Sequence, residues 1–373
     1  MFRLSNLIKS TLQEQKSRSL DGSIIIWNMT NRCNLLCHHC YSKASANEKE
    51  SYSLEDILKT IPKLKIANIN FVIFSGGEPL LRKDIFEIAQ CMKDNKIMTY
   101  LSTNGTYITE KNAQKIIDTF NYIGISIDGI GEVHDYFRGQ KGSYDKSIEA
   151  IKTIQKLGGN AGIRFTITKE TESSFYDIFT LAEELNVNKI YISHLVYSGR
   201  GKENLEIDIS KEKRKEYVTF MINKAFEYYE NGKDIDIVTG NMEMDAIMLL
   251  KEFEKKYPDF VNSLKNRLKS WGGNSAGKRL GNMDWNGFVK PDPFFPMTIG
   301  NYLEKDFDKI WLDDNNELLK KLREFPRNIK GKCSSCKYID ICNGGSRSRA
   351  YAISGDLWDE DPSCYLTLEE IKG

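Results

Sequence analysis

From residue 23 the chain alternates short, apolar, β-rich runs with amphipathic helical patterns, and this alternation limits its fold more than any other feature. The runs are 24–27, 69–74, 97–102, 122–127, 162–168 and 189–194. They recur about every 33 residues, the length of one strand–helix unit. Helical patterns lie between them. Leu54-Ile57-Leu58-Ile61 follows Ser53 as N-cap, with Asp56 three residues later. Ile148-Ile151-Ile154-Leu157 ends at Gly158-Gly159, a helix stop. Six such units predict a parallel sheet. Right-handed crossovers curve it into an open α/β structure, a partial (βα)6 TIM-type barrel with its chemistry on the loops after the strands. The predicted order is an N-terminal segment (1–22), the barrel (23–205), a Lys/Glu-rich helical bridge (206–270) and a Gly-, Pro- and aromatic-rich region (271–373).

Lys+Arg is 53 and Asp+Glu is 52, a formal net charge of +1. No global field draws such a chain onto nucleic acid or an anionic membrane, so an anionic ligand needs local basic groups. Residues 1–22 hold no apolar stretch of signal length, and no run reaches the ~20 apolar residues needed to span a bilayer. The expected setting is a reducing cytoplasm. There the eight cysteines, at 33, 37, 40, 91, 333, 336, 342 and 364, serve as metal ligands or catalysts rather than disulfides.

Cys33, Cys37 and Cys40 form a CxxxCxxC run directly after the first strand. Three thiolates can hold three corners of a [4Fe–4S] cube and leave one iron open; three cysteines with His38 or His39 could instead hold zinc. Gly76-Gly77-Glu78-Pro79 follows the second strand. Its glycines allow close backbone approach and Glu78 offers an acceptor for an ammonium group, although an ordinary turn can read the same way. Cys333, Cys336, Cys342 and Cys364 read CxxCx5C…C, a closed four-thiolate site open to zinc or a cluster. Cys91 shares a helix face with Ile88 and is expected to be a buried apolar cysteine.

These residues, in six units of this length, resemble the radical S-adenosylmethionine (radical SAM) superfamily over about residues 23–205. The resemblance implies that SAM chelates the open iron and is cleaved reductively to a 5′-deoxyadenosyl radical that takes hydrogen from substrate. It places the methionine amine at Gly76, Gly77 and Glu78, the ribose near Ser102, Asn104 and Ser126, and the carboxylate at Arg164. Residues 271–373 resemble the SPASM/Twitch extension that carries auxiliary clusters. Asn274, Asp292 and Ser346 stand where the two-cluster version has cysteines. The resemblance therefore implies two [4Fe–4S] clusters in all, the second on Cys333, Cys336, Cys342 and Cys364.

Longer stretches, among them Trp27-Asn28-Met29-Thr30, residues 191–201, Val238-Thr239-Gly240-Asn241 and the ending around Cys364, resemble the tetrapyrrole-modifying branch of heme d1 biosynthesis and, slightly further off, of the alternative heme pathway. This implies removal of propionate or acetate side chains from a siroheme-derived substrate, with flavodoxin or ferredoxin as reductant. Relatives carry two histidines shortly after the Pro-Asp step, where this chain reads Phe294-Phe295-Pro296-Met297. Such a substrate asks for an aromatic slot, for which Trp271, Trp285, Phe288, Phe294 and Phe295 are candidates. Its carboxylates need partners, for which Arg138, Arg200, Lys278 and Arg279 are candidates. His194, ending the sixth strand, is the candidate iron ligand or proton donor. Two other readings stand beside this one: a SPASM/Twitch peptide maturase, disfavoured by only 22 residues before the first strand, and a zinc-stabilised binding protein.

Overall fold

The computed structural model describes residues 1–15, 22–48 and 52–372. The six predicted strands form as β2 (Ser23–Thr30), β3 (Ile69–Gly76), β4 (Met98–Thr103), β5 (Tyr122–Ser126), β6 (Ala161–Ile167) and β7 (Lys189–His194), each parallel to its neighbour. Residues outside 23–205 extend this sheet on both sides. Beyond β7 lies β8 (Asp236–Gly240), parallel, and then β1 (Phe2–Arg3), antiparallel. Beyond β2 lies β9 (Leu280–Met283), parallel, followed by antiparallel β10 (Phe288–Lys290) and β11 (Gly300–Asn301). The expected helical bridge is helical at Lys211–Glu230, Asp245–Lys256 and Val261–Trp271, but it also supplies β8. The β-branched Ile235-Asp236-Ile237-Val238-Thr239 run carries that signal in the sequence.

Successive side chains of a strand point to opposite faces. Ile25, Trp27, Met29, Val72, Phe74, Leu101, Ile123, Ile163, Phe165, Ile190 and Ile192 share one face and are buried with the helix layer. The opposite face carries Asn28, Ser75, Ser102, Ser126, Arg164, Tyr191 and Ser193, most of them half-exposed, with apolar Ile24, Ile26, Phe71 and Ile73 nearer the starts of β2 and β3. Burial of the apolar face, at roughly 25 cal/mol per Å², orients every strand and leaves the polar face free to line a site. The helix Leu54–Ile66 starts at Ser53 in a reciprocal capping box with Asp56, as its sequence predicts. Among the described residues no helix is long and apolar enough to cross a membrane.

Candidate functional site

The loop after β2 carries Cys33, Cys37 and Cys40, and its backbone is held from three sides. Cys33 N donates to Ser45 O at 2.9 Å, Leu36 N to Arg138 O at 3.2 Å, and His38 N to Phe137 O at 3.0 Å. Arg200 N donates to Cys40 O, Arg200 Nε to Cys37 O at 2.7 Å and Arg200 Nη1 to Ala44 O at 3.2 Å. Each thiol also has a polar neighbour. Cys33 Sγ accepts from Leu35 N at 3.4 Å, Cys37 Sγ accepts from Arg138 Nη1 at 3.6 Å, and Cys40 Sγ lies 3.5 Å from Ser42 Oγ. Burial pushes the Cys33 thiol up to about 12 and raises Cys37, so both are poor thiolates until a cation shares the charge.

The glycines after β3 meet protein backbone. A Cβ on Gly76 would sit 2.3 Å from Thr30 O, and one on Gly77 would sit 2.1 Å from Arg32 O. Gly77 N donates to Thr30 O and Glu78 N to Arg32 O, both at 2.8 Å, so this turn is laced directly to the cysteine loop. The Glu78 carboxylate, expected to meet an ammonium, is fully buried and already holds three hydrogen bonds. It accepts from Thr103 Oγ1 at 2.7 Å, Asn104 N at 2.8 Å and Leu80 N at 3.1 Å. These bonds tie the turns after β3 and β4 together.

Asn104 is likewise occupied. Its Oδ1 accepts from Thr106 N and Oγ1, and its Nδ2 donates to Asn34 Oδ1 at 3.0 Å within the cysteine loop. Ser102 and Ser126 are half-buried on the polar face. Arg164 stacks over Tyr191 at 4.5 Å and makes no ion pair among the described residues, so its charge is available to an anion.

Three further expectations need correction. His194 faces the helix layer, because it shares parity with Ile190 and Ile192. It is 1 % exposed, with Nε2 3.2 Å from Asp245 Oδ2, whose Oδ1 accepts from Tyr365 OH at 3.0 Å. Arg138 is not a free carboxylate reader, being ion-paired with Asp128 beside Cys37; Arg200 gives Nε and Nη1 to loop carbonyls, while its buried Nη2 has no hydrogen-bond partner among the described residues. Trp271 ends the helix Val261–Trp271 and packs on Phe2, ring centroids 5.0 Å apart. Phe294 does approach the cysteine loop, with its ring edge-on to Tyr41 at 5.1 Å. The sequence reading missed Tyr41, whose hydroxyl donates to Asn28 Oδ1 at 2.9 Å and lies 3.4 Å from Ser75 Oγ. Its place directly after Cys40 was the available signal.

In the C-terminal region Cys333, Cys336, Cys342 and Cys364 line one cavity with Met244, Lys332, Gly344, Asp361, Leu366 and Ile371. Burial raises all four thiols, Cys333 to about 12. Among the described residues no three His, Cys, Asp or Glu groups converge on a single-ion position. At the three positions lacking cysteine a polar network stands. Asn274 Oδ1 accepts from Arg327 Nη1 at 2.9 Å and Asn274 Nδ2 donates to Glu243 Oε1 at 3.1 Å. Asp292 accepts from Phe294 N at 2.8 Å, and Ser346 caps the helix Arg347–Ser354.

The family model of the radical SAM superfamily matches residues 27–182. The chain belongs to this superfamily and is a radical SAM enzyme, using a [4Fe–4S] cluster and SAM. It is 36% identical to the pre-heme d1 synthase of Dinoroseobacter shibae, across 99% of this chain and 93% of that protein. It is also 36% identical to the Fe-coproporphyrin III synthase of Methanosarcina barkeri, across 93% and 89%. Streptococcus suis SuiB bound to S-adenosylmethionine shares the fold, with a TM-score of 0.70 at 17% identity over 93% of this chain and 78% of that one.

Proposed function

We propose that this chain removes propionate or acetate side chains from a siroheme-derived tetrapyrrole, as part of heme d1 or alternative heme biosynthesis. The observation that carries this reading is the near full-length similarity to two tetrapyrrole enzymes. In it, Cys33, Cys37 and Cys40 hold the SAM-binding cluster, and Cys333, Cys336, Cys342 and Cys364 hold an auxiliary one. A cluster held by Cys33, Cys37 and Cys40 would, once reduced by a flavodoxin or ferredoxin, supply the electron that converts bound SAM to a 5′-deoxyadenosyl radical.

The protein's own residues bind and orient. The half-exposed polar face, with Ser102, Ser126 and Arg164, receives SAM, Arg164 taking the carboxylate. The methionine amine falls to Gly76, Gly77 and Glu78, whose Oε2 accepts from Asn104 N and keeps room for a further donor. Phe294 and Tyr41 form the aromatic wall nearest the cysteine loop. The four-thiol cavity supports the auxiliary cluster, whose full complement of thiolates suits electron transfer or structural duty.

The test is anaerobic incubation of reduced, cluster-loaded protein with SAM and didecarboxysiroheme. The expected result is 5′-deoxyadenosine and a mass loss equal to the departing side chains. An unchanged macrocycle mass, with both clusters verified by iron content and spectrum, rejects the substrate.

A further inference from the structure

Arg138 is the one charged side chain, among the described residues, that donates a hydrogen bond to a thiol of the first cysteine loop. Its guanidinium spans two partners. Nη1 is 3.6 Å from Cys37 Sγ, and Nη2 pairs with Asp128 Oδ2. Asp128 is fully buried and further fixed by Thr166 N, which donates to its Oδ1 at 2.6 Å. The helix Glu132–Arg138 is docked on the same loop through Leu36 N and His38 N, so the guanidinium cannot drift from the sulfur. Arg200, a further cation beside this loop, donates to backbone carbonyls and not to sulfur.

We infer that the Asp128–Arg138 pair sets the reduction potential of the cluster on Cys33, Cys37 and Cys40, Arg138 raising it and Asp128 restraining that rise. The inference rests on the cluster assignment proposed above. One-electron reduction by an external reductant adds negative charge to the cluster and its thiolates, with no bond made or broken. A hydrogen-bonded guanidinium in a low-dielectric site stabilises the more negative state more strongly. Asp128 opposes this electrostatically while holding the fork in place. Arg138 is thus a tuning residue, acting through Cys37.

The test is a redox titration of the full, cluster-loaded protein without SAM, followed by electron paramagnetic resonance. A Cys33→Ala variant identifies the loop's signal as the one lost; if both signals survive, the cluster assignment fails and the inference falls with it. Arg138→Gln is expected to lower the reduced-to-oxidised ratio of that signal about tenfold at fixed potential, equivalent to about 59 mV for a one-electron couple. Asp128→Asn is expected to shift it the opposite way, and the auxiliary signal is expected to stay in place. Shifts in the same direction, or none, overturn the inference, because a merely structural pair has no reason to give opposite signs. If Arg138→Gln holds no loop cluster, the sign from Asp128→Asn decides alone. Loss of the loop cluster in both variants makes the pair structural and also overturns it.

Discussion

Arg349 and Asp361 form a two-point ion pair with both side chains out of water, Nε to Oδ1 at 2.9 Å and Nη2 to Oδ2 at 2.8 Å. The pair joins three parts of the molecule. Arg349 also donates to Leu195 O, just past β7, at 3.1 Å and to Asn241 O, just past β8. Asp361 also accepts from Ser346 N at 2.8 Å and Ser363 N at 3.0 Å, and it lines the four-cysteine cavity. This buried charge pair is therefore one of the contacts that seat the C-terminal cysteine region on the barrel, beside Tyr365 with Asp245 and Tyr197 with Ser363.

Removing one partner of such a pair leaves a buried charge uncompensated, at a cost of about 3–5 kcal/mol. Asp361→Asn is expected to lower the anaerobic thermal midpoint by about 5 °C and to release iron from the auxiliary site first. Burial alone would raise the Asp361 carboxyl, but Arg349 holds it below its usual range. Its stabilisation is then present above the ordinary carboxylate pKa and is lost as pH falls through the lowered one. Melting curves at neutral and acid pH, with iron assays, check both points.

Gly77→Ala places a Cβ 2.1 Å from Arg32 O, where backbone meets backbone and nothing can rotate aside. The turn after β3 must then separate from the cysteine loop. Iron in the reconstituted protein is expected to fall from about eight to about four per chain, the auxiliary cluster remaining. An unchanged iron count would show that the loop does not need this lacing.

His194→Gln tests the face assignment. Its partner Asp245 keeps the Tyr365 hydroxyl, so the loss is expected to be about 1–3 kcal/mol of stability. Turnover per folded, cluster-loaded chain is expected to stay within about threefold of the parent. A loss of substrate turnover at full cluster loading would return His194 to the chemistry.

Asp292 gives a pH signature. Burial pushes its carboxyl up to about 6, with Glu243 adding to the rise and the Phe294 and Phe295 amides opposing it. A raised carboxyl costs the folded state nothing when protonated in both states, and its cost grows as pH rises from about 4 to about 6. Asp292→Asn, which can still accept from Phe294 N, is expected to be more stable than the parent above pH ~6 and similar near pH ~4. Chemical denaturation midpoints at the two pH values measure it. Equal gains at both would place the effect elsewhere.

The strand–helix period determined the barrel from sequence alone, because burying one apolar face fixes each strand's orientation. Parity along β7 was also legible: Ile190 and Ile192 already assign His194 to the helix side. Strand β8 was harder to see, since a five-residue run inside a Lys/Glu-rich stretch becomes a strand only when β7 offers it an edge. The cysteine spacing and the Gly-Gly-Glu-Pro turn located the candidate site, because short loops keep neighbouring groups together whatever surrounds them. Tertiary structure decided what the charges do. Arg138 lies 101 residues from Cys37 and Arg200 lies 163 from it, and only the folding of the helix Glu132–Arg138 and the loop after β7 brings both onto one cysteine. Sequence shows that a guanidinium exists; whether it meets a ligand, a carboxylate or a sulfur depends on which buried partner the packed chain leaves within hydrogen-bond reach.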